Sequence, residues 1–100
     1  MATYTIYQMK DEYLHDYGFE SYERVKDNLR FDFYKKVYEA PLNGETLEDL
    51  YVQFNVDHPK DFTGHSMSVG DIVVFQNPDV SVYYCDSFGF EPLPMNFIKN

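Results

Sequence analysis

The apolar residues of this chain occur in short stretches, and none is longer than four-residue runs such as Ile72–Phe75. A helix that crosses a bilayer needs about 20 consecutive, mostly apolar residues, so we expect no membrane-spanning segment. The 100 residues nevertheless include 44% hydrophobic and 19% aromatic ones, which is too much apolar surface for an intrinsically disordered protein. Because no stretch resembles a linker and no repeat is found, residues 1–100 are predicted to form a single domain with one core.

Four segments are rich in β-branched and aromatic residues, which favour strands: Thr3–Met9, Tyr34–Ala40, Ile72–Gln76 and Ser81–Asp86. The last two flank Asn77-Pro78-Asp79, a turn sequence typical of a hairpin. Pro41 is expected to end the second strand, and Pro92 and Pro94 to prevent further pairing after a bend at Gly89. The predicted fold is therefore a small α+β domain with a mainly antiparallel sheet of about four strands and two short helices.

The clearest helix signal lies in the sequence GETLEDLYVQFN. Thr46 can accept a hydrogen bond from an otherwise unpaired backbone N–H at the helix start. One apolar stripe then follows at helical spacing: Leu47, Leu50, Tyr51 and Phe54. We expect this helix, residues 46–54, to dock that stripe on the sheet, and a shorter helix over Tyr22–Asn28 to begin after a Ser21 cap.

The charge of the chain is unevenly distributed. Its formal net charge at pH 7 is −9, yet residues 24–36 hold five of the eight basic residues and only two of the 17 acidic ones. The remainder, with three basic and 15 acidic residues, would repel a phosphate backbone, so direct nucleic-acid binding is not expected. Residues 1–6 lack the features of a secretory signal, and a single cysteine cannot form an intramolecular disulfide, so the cytoplasm is the expected compartment.

Four side chains within nine residues could in principle supply metal ligands: Asp57, His58, Asp61 and His65. Their spacing matches no compact metal site, and His58 precedes a proline in what reads as a turn after the helix. Ordinary loop polarity is the favoured interpretation. Only five glycines are present and none forms a phosphate cradle, so neither a metal nor another cofactor is expected.

A catalytic thiol or hydroxyl is not supported by the sequence either. Cys85 lies in the strand-like segment SVYYCDSF, where a small buried apolar side chain is a commoner role than a nucleophile. Ser66 or Ser68 with His65 and Asp71 is too local and too loop-bound to read as a catalytic triad. At the entrance to the third strand, Gly70 and Asp71 are explained by turn chemistry. We therefore expect no catalytic residues.

Tyrosine is unusually abundant, and it is a residue type enriched at protein interfaces. The ten tyrosines are Tyr4, Tyr7, Tyr13, Tyr17, Tyr22, Tyr34, Tyr38, Tyr51, Tyr83 and Tyr84. About half of them are expected to serve in the core or the sheet, and a core of this size is not expected to bury them all. An aromatic surface among carboxylates would suit the binding of a protein partner, with Tyr83 and Tyr84 as candidate contacts.

Four segments in this order resemble the YodL-like domain: YTIYQMKD, DYGFESYERVK, TLEDLYVQFNVDHPKDFTGHSMSVGDIVVF and YYCDSFGFEPLP. The resemblance covers residues 3–94. It implies a small module common on conjugative elements and related mobile DNA of gut bacteria, often embedded in large polyvalent proteins. It implies no established catalytic residues, so the following enter as motif positions only: Phe62, Gly64, His65, Ser68, Gly70, Asp71 and Gly89.

These observations favour a non-enzymatic protein-interaction domain that acts in the cytoplasm and is associated with bacterial mobile genetic elements. An alternative is an acidic inhibitor that mimics nucleic acid and occupies the basic groove of a host defence nuclease, of the anti-restriction or anti-CRISPR type. The densest acidic stretch would provide that mimicking surface: Asp11, Glu12, Asp16, Glu20 and Glu23.

Overall fold

A five-stranded antiparallel sheet organises the chain in the computed structural model, which describes residues 2–99. Its strands are β1 (Thr3–Met9), β2 (Tyr34–Pro41), β3 (Ile72–Gln76), β4 (Val80–Asp86) and β5 (Gly89–Leu93). The helices are α1 (Asp11–Tyr17), α2 (Tyr22–Val25) and α3 (Leu47–Val56), with 3₁₀ turns at Phe31–Phe33 and Met95–Lys99. The predicted α+β class is confirmed. Across the described residues, no helix has the length and apolar character needed to cross a membrane.

The strand order is β2-β1-β3-β4-β5, so β1 and β3 lie in the middle of the sheet. Ile72, Val73 and Val74 are consecutive and all buried. Because a central strand covered on both faces has no solvent side, β3 is a continuous apolar run and does not alternate with polar residues. The turn at 77–79 joins β3 to β4 as predicted, with the Asn77 N–H donating to the Asp79 carbonyl over 3.0 Å.

Each face of the sheet carries its own apolar cluster. On the first, which we call the α3 face, the buried residues are Tyr4, Ile6, Leu50, Phe54, Phe62, Met67, Val73 and Cys85. On the second, the α1/α2 face, they are Met9, Val25, Phe33, Tyr34, Ile72, Val74, Val82, Tyr84 and Leu93. The chain thus has a three-layer arrangement, with helical segments on both sides of one sheet.

A β-bulge in β2 directs the side chains at its two ends to opposite faces of the sheet. The pairing of β1 with β2 shifts between Ile6 opposite Tyr38 and Tyr7 opposite Lys36, which leaves Val37 as the extra residue. Side chains alternate between faces along a regular strand, so an extra residue exchanges the faces. Tyr34 therefore packs in the α1/α2 cluster, whereas Tyr38 packs against the α3 cluster.

Two helices differ from the sequence prediction. Helix α1 was not predicted, because it has no side-chain cap that the sequence could reveal. Its half-buried residues stabilise it by packing against the α1/α2 cluster on the sheet. Helix α2 is one turn long and ends at Val25, short of the predicted Asn28. Ser21 makes no side-chain cap bond. The Asp86 carboxylate at the end of β4 instead accepts a hydrogen bond from the Tyr22 N–H at 3.1 Å.

Strand β5 corrects a second expectation. Pro92 was expected to prevent further pairing, but it lies within β5 opposite Tyr83. A proline is tolerated here because β5 is an edge strand, where the missing N–H has no partner strand to pair with. Pro41 likewise does not end β2 before it, since it still pairs with Thr3 at the other edge of the sheet.

Helix α3 begins as predicted. The Thr46 hydroxyl accepts from the Asp49 N–H at 3.1 Å and the Asp49 carboxylate accepts from the Thr46 N–H at 2.9 Å, which completes a capping box. Leu50 and Phe54 are fully buried against the sheet. The predicted apolar stripe is narrower than expected, because Tyr51 is 44% exposed.

Candidate functional site

The loop that precedes β3 is held to the sheet by one buried amide. The Gln8 side chain donates to the His65 carbonyl at 2.7 Å and accepts from the His65 N–H at 3.1 Å. The same amide nitrogen donates to the Asp71 carboxylate at 3.0 Å, which also accepts from the Ser68 N–H at 3.0 Å. Gly64 lies so close to Gln8 that a Cβ at that position would collide with the amide oxygen. These four contacts fix the path of residues 64–71.

Asp71 is almost completely buried. Burial raises the pKa of its carboxyl group to about 7, against the lowering effects of the Ser68 N–H, the charge of His65 and the Gln8 amide. Two donated hydrogen bonds therefore do not fully replace the lost hydration. Turn chemistry was the predicted role of Asp71, and the structure adds a buried, network-forming carboxyl group to it.

The end of this loop runs beside β4. The Gly70 N–H donates to the Cys85 carbonyl at 2.9 Å, and the Cys85 N–H donates to the Asp71 carbonyl at 2.8 Å. The Tyr34 hydroxyl donates to the Gly70 carbonyl at 2.6 Å. Gly70 has φ of 105°, a conformation that only glycine adopts without strain. The segments DFTGHSMSVGDIVVF and YYCDSFGF are therefore adjacent in space.

A groove of about 360 Å³ opens where these segments meet the outer side of α3. Nine residues line it: Glu48, Tyr51, Val52, Val69, Cys85, Asp86, Ser87, Gly89 and Phe90. Cys85 and Phe90 pair across β4 and β5 on the sheet side. Tyr51 and Val52, 44% and 58% exposed, face the opening from α3. We call this feature the α3–β5 groove, and its lining combines apolar side chains with the exposed Glu48 of α3.

The tip of the β4–β5 turn extends the apolar surface beside the groove. Phe88 is fully exposed there, and Gly89 next to it has φ of 109°, which permits the tight turn. Val56, near the end of α3, is also largely exposed. Contiguous exposed apolar surface is a feature of interaction sites, and Phe88 is adjacent in sequence to the lining residues Ser87 and Gly89.

The thiol in the groove is not in a reactive state. Cys85 is almost fully buried. Burial, with the negative charges of Asp71 and Asp86, raises the pKa of its thiol to about 12. The thiolate is the nucleophilic form of cysteine, so at neutral pH this side chain is a small buried apolar group, in the role predicted for it.

The predicted motif residues have different environments. Phe62 is buried and packs edge-on against Phe54, with ring centroids 4.8 Å apart. His65 is exposed, and its Nδ1 lies 2.7 Å from the Ser66 carbonyl. The Ser68 hydroxyl donates to that same carbonyl at 2.9 Å and not to the imidazole. Within residues 2–99 no three His, Cys, Asp or Glu side chains are grouped so that they could hold a metal ion.

The tyrosine-rich surface expected from composition is mostly absent. Tyr51 alone of the ten is exposed, and the other nine are buried or half-buried. Tyr84, a candidate contact, is fully buried and donates its hydroxyl to the Glu20 carbonyl at 2.6 Å. Tyr83 is half-buried and lies against Phe75. The core absorbs more tyrosine than predicted because both faces of the sheet are covered.

The acidic stretch is divided between two environments. Asp11, Glu12 and Asp16 are exposed on α1. Glu20 pairs with Arg24 and Glu23 with Lys26, each at 3.3 Å. Part of the negative charge is thus balanced by two basic residues of the segment 24–36, Arg24 and Lys26.

Sequence reasoning missed Gln8, Val52, Val69 and Phe90. Gln8 carried a weak signal, since it is the one polar amide within the apolar strand β1. Val52 follows the predicted stripe directly, and its position at the groove depends on how α3 is rotated on the sheet.

No curated protein and no solved structure matches the chain significantly. A family model, that of the YodL-like domain, matches residues 3–97. This range includes every strand and the loop and turn that build the groove. The chain belongs to the YodL-like domain family.

Proposed function

We propose that this chain is a non-enzymatic protein-interaction domain that binds a protein partner through the α3–β5 groove. The observation that carries the proposal is the groove itself, with Tyr51 and Val52 exposed on a helix whose opposite side is fully buried. A concave site with an apolar lining and a few polar groups is the usual form of a binding site. The fully exposed Phe88 beside it adds apolar contact area.

The non-enzymatic part of the proposal is supported by the state of the candidate reactive groups. Cys85 is buried with a raised thiol pKa. The Asp71 carboxylate is occupied by Gln8 and Ser68, and its burial places it inside the structure and away from a substrate. These groups stabilise the loop and the sheet.

The proposed setting is the bacterial cytoplasm, in the biology of mobile genetic elements. The support is the resemblance to a domain that is common on conjugative elements, together with the free buried thiol. The partner would then be a protein encountered during the maintenance or transfer of such an element.

The groove is tested by affinity capture from a lysate of conjugating bacteria, with mass spectrometry to identify the bound protein. Val52→Asp places a charge at the groove and should abolish capture of the partner. Met95→Asp is the matched control, because Met95 is 50% exposed and lies outside the groove. Both variants should unfold at the wild-type midpoint. A partner retained equally by the two variants would show that binding occurs elsewhere.

The alternative function, mimicry of nucleic acid, is favoured by one observation: the exposed carboxylates of Asp11, Glu12 and Asp16 on one short helix. A partner that recognises them would bind with steep salt dependence. Neutralising these three together with Glu20 and Glu23 should then abolish capture, whereas Val52→Asp should leave it unchanged. Equal binding in low and high salt would exclude this alternative.

A further inference from the structure

Resting on the proposed function, we infer that the α3–β5 groove receives an extended peptide segment in which an apolar anchor residue is flanked by lysine or arginine. Its size sets the first limit. A volume of about 360 Å³ lies near the lower end of the range for ligand pockets. It suits an inserted side chain and its neighbours, whereas a docked helix, about 10–12 Å across, needs a longer trough.

The apolar part of the lining specifies the anchor. The apolar lining includes Val52, Val69 and Phe90, and the Cys85 thiol is neutral. None of these side chains offers a strong hydrogen-bond donor or acceptor. A leucine, methionine or phenylalanine side chain of the partner would bury apolar surface here at no cost in unpaired polar groups.

The charge of the lining determines which residues would flank the anchor in the bound peptide. Glu48 supplies a carboxylate on the exposed side of α3 that borders the groove, and no lining residue is basic. The Asp86 carboxylate is directed away from the groove, because it accepts a hydrogen bond from the Tyr22 N–H on the α1/α2 face, so Glu48 is the carboxylate that a partner can reach. The formal net charge of −9 would also attract a basic segment from a distance.

The edges of the sheet make strand addition a poorer mode of binding. β5 is short and contains Pro92, which has no N–H to donate. β2, at the opposite edge, presents the exposed lysines Lys35 and Lys36, a common protection against edge pairing. Recognition is therefore assigned to the groove side chains rather than to the sheet backbone.

The test selects peptides from a random-sequence phage library on the immobilised wild-type protein. The consensus peptide is then synthesised with a fluorophore, and its dissociation constant is measured by anisotropy. The charge variant is Glu48→Gln. Its matched control is Glu12→Gln on α1, which removes the same charge from another exposed helix position.

The expected consensus has Lys or Arg beside an apolar residue. Its binding should be lost in Val52→Asp, weakened about two- to fivefold in Glu48→Gln, and unchanged in the α1 control. The selected peptides could instead lack basic residues, with binding that is lost in Val52→Asp but unaffected by the charge variant. That result would overturn the inference of a basic peptide and leave the proposed function intact. Selection of no peptide would overturn this inference, whereas the proposed function would still be supported by a captured protein that Val52→Asp loses. Peptides that bind Val52→Asp equally well would overturn both.

Discussion

The buried carboxyl group of Asp71 predicts that the stability of this protein falls as the pH rises from about 5 to about 8. Burial raises the pKa of Asp71 from 3.8 to about 7 in the folded protein. Between these two values the unfolded chain has released its proton while the folded chain retains it. The folded state is therefore favoured by protonation, and the stabilisation is lost as the pH rises through the folded pKa.

The magnitude follows from the size of the shift. Each pKa unit corresponds to about 1.4 kcal/mol, so the full shift corresponds to about 4 kcal/mol between low and neutral pH. About two units of it lie above pH 5, which predicts a loss of about 3 kcal/mol between pH 5 and pH 8. The neighbouring Tyr34, Tyr84 and Cys85 have raised pKa values and stay neutral over this range. The charge of His65 acts in the opposite direction, lowering the pKa of Asp71.

The assay compares urea unfolding of the wild type and Asp71→Asn at both pH values, followed by tyrosine fluorescence and circular dichroism. Asparagine keeps an oxygen that can accept from Gln8 and Ser68 but has no charge to lose. Between pH 5 and pH 8, the free energy of unfolding of the wild type should fall by about 3 kcal/mol more than that of Asp71→Asn. Asp79→Asn, at an exposed turn position, is the control and should keep the wild-type slope. Equal slopes for Asp71→Asn and wild type would refute a raised pKa.

Three further substitutions test the fold by the same unfolding measurement. Leu50→Ala should cost about 2–5 kcal/mol because Leu50 is fully buried, whereas Val56→Ala, at a largely exposed position, should change stability by less than about 0.5 kcal/mol; similar values would place the α3 packing face elsewhere. Gly64→Ala should destabilise by at least about 1 kcal/mol, since its Cβ would displace the Gln8 amide, and a neutral result would mean that the loop moves freely. Phe19→Asn should stabilise by up to about 1 kcal/mol, because residue 19 has φ of 61° and asparagine tolerates that region better than phenylalanine; a loss of stability would show that the exposed ring contributes packing.

Local chemistry in the sequence was enough to predict β1, the β3–β4 hairpin and the start of α3. β1 was predicted with its observed bounds, Thr3–Met9. The Thr46 cap and the turn at 77–79 are formed by residues close together in the chain, so the same interactions are available before the rest of the protein folds. The family resemblance added the identity of the domain, and the family match confirms it.

Only the tertiary structure decided which side chains the sheet buries. The bulge at Val37 exchanges the faces of β2. An edge position accommodates Pro92. The two helical layers absorb the tyrosines that composition alone had assigned to the surface. None of these features follows from a local pattern, because each depends on which strand or helix lies alongside.

The groove likewise depends on tertiary packing and not on local sequence. Val52, Val69 and Phe90 come from three separate parts of the chain. The bond from the Gly70 N–H to the Cys85 carbonyl holds the loop beside β4, and Phe90 pairs with Cys85 from β5. The burial of Asp71, and hence its raised pKa, also depends on contact with Gln8, 63 residues earlier. Sequence periodicity reports the preferences of neighbouring residues, whereas burial and proximity are set by long-range packing, so the site could be located only after the fold was known.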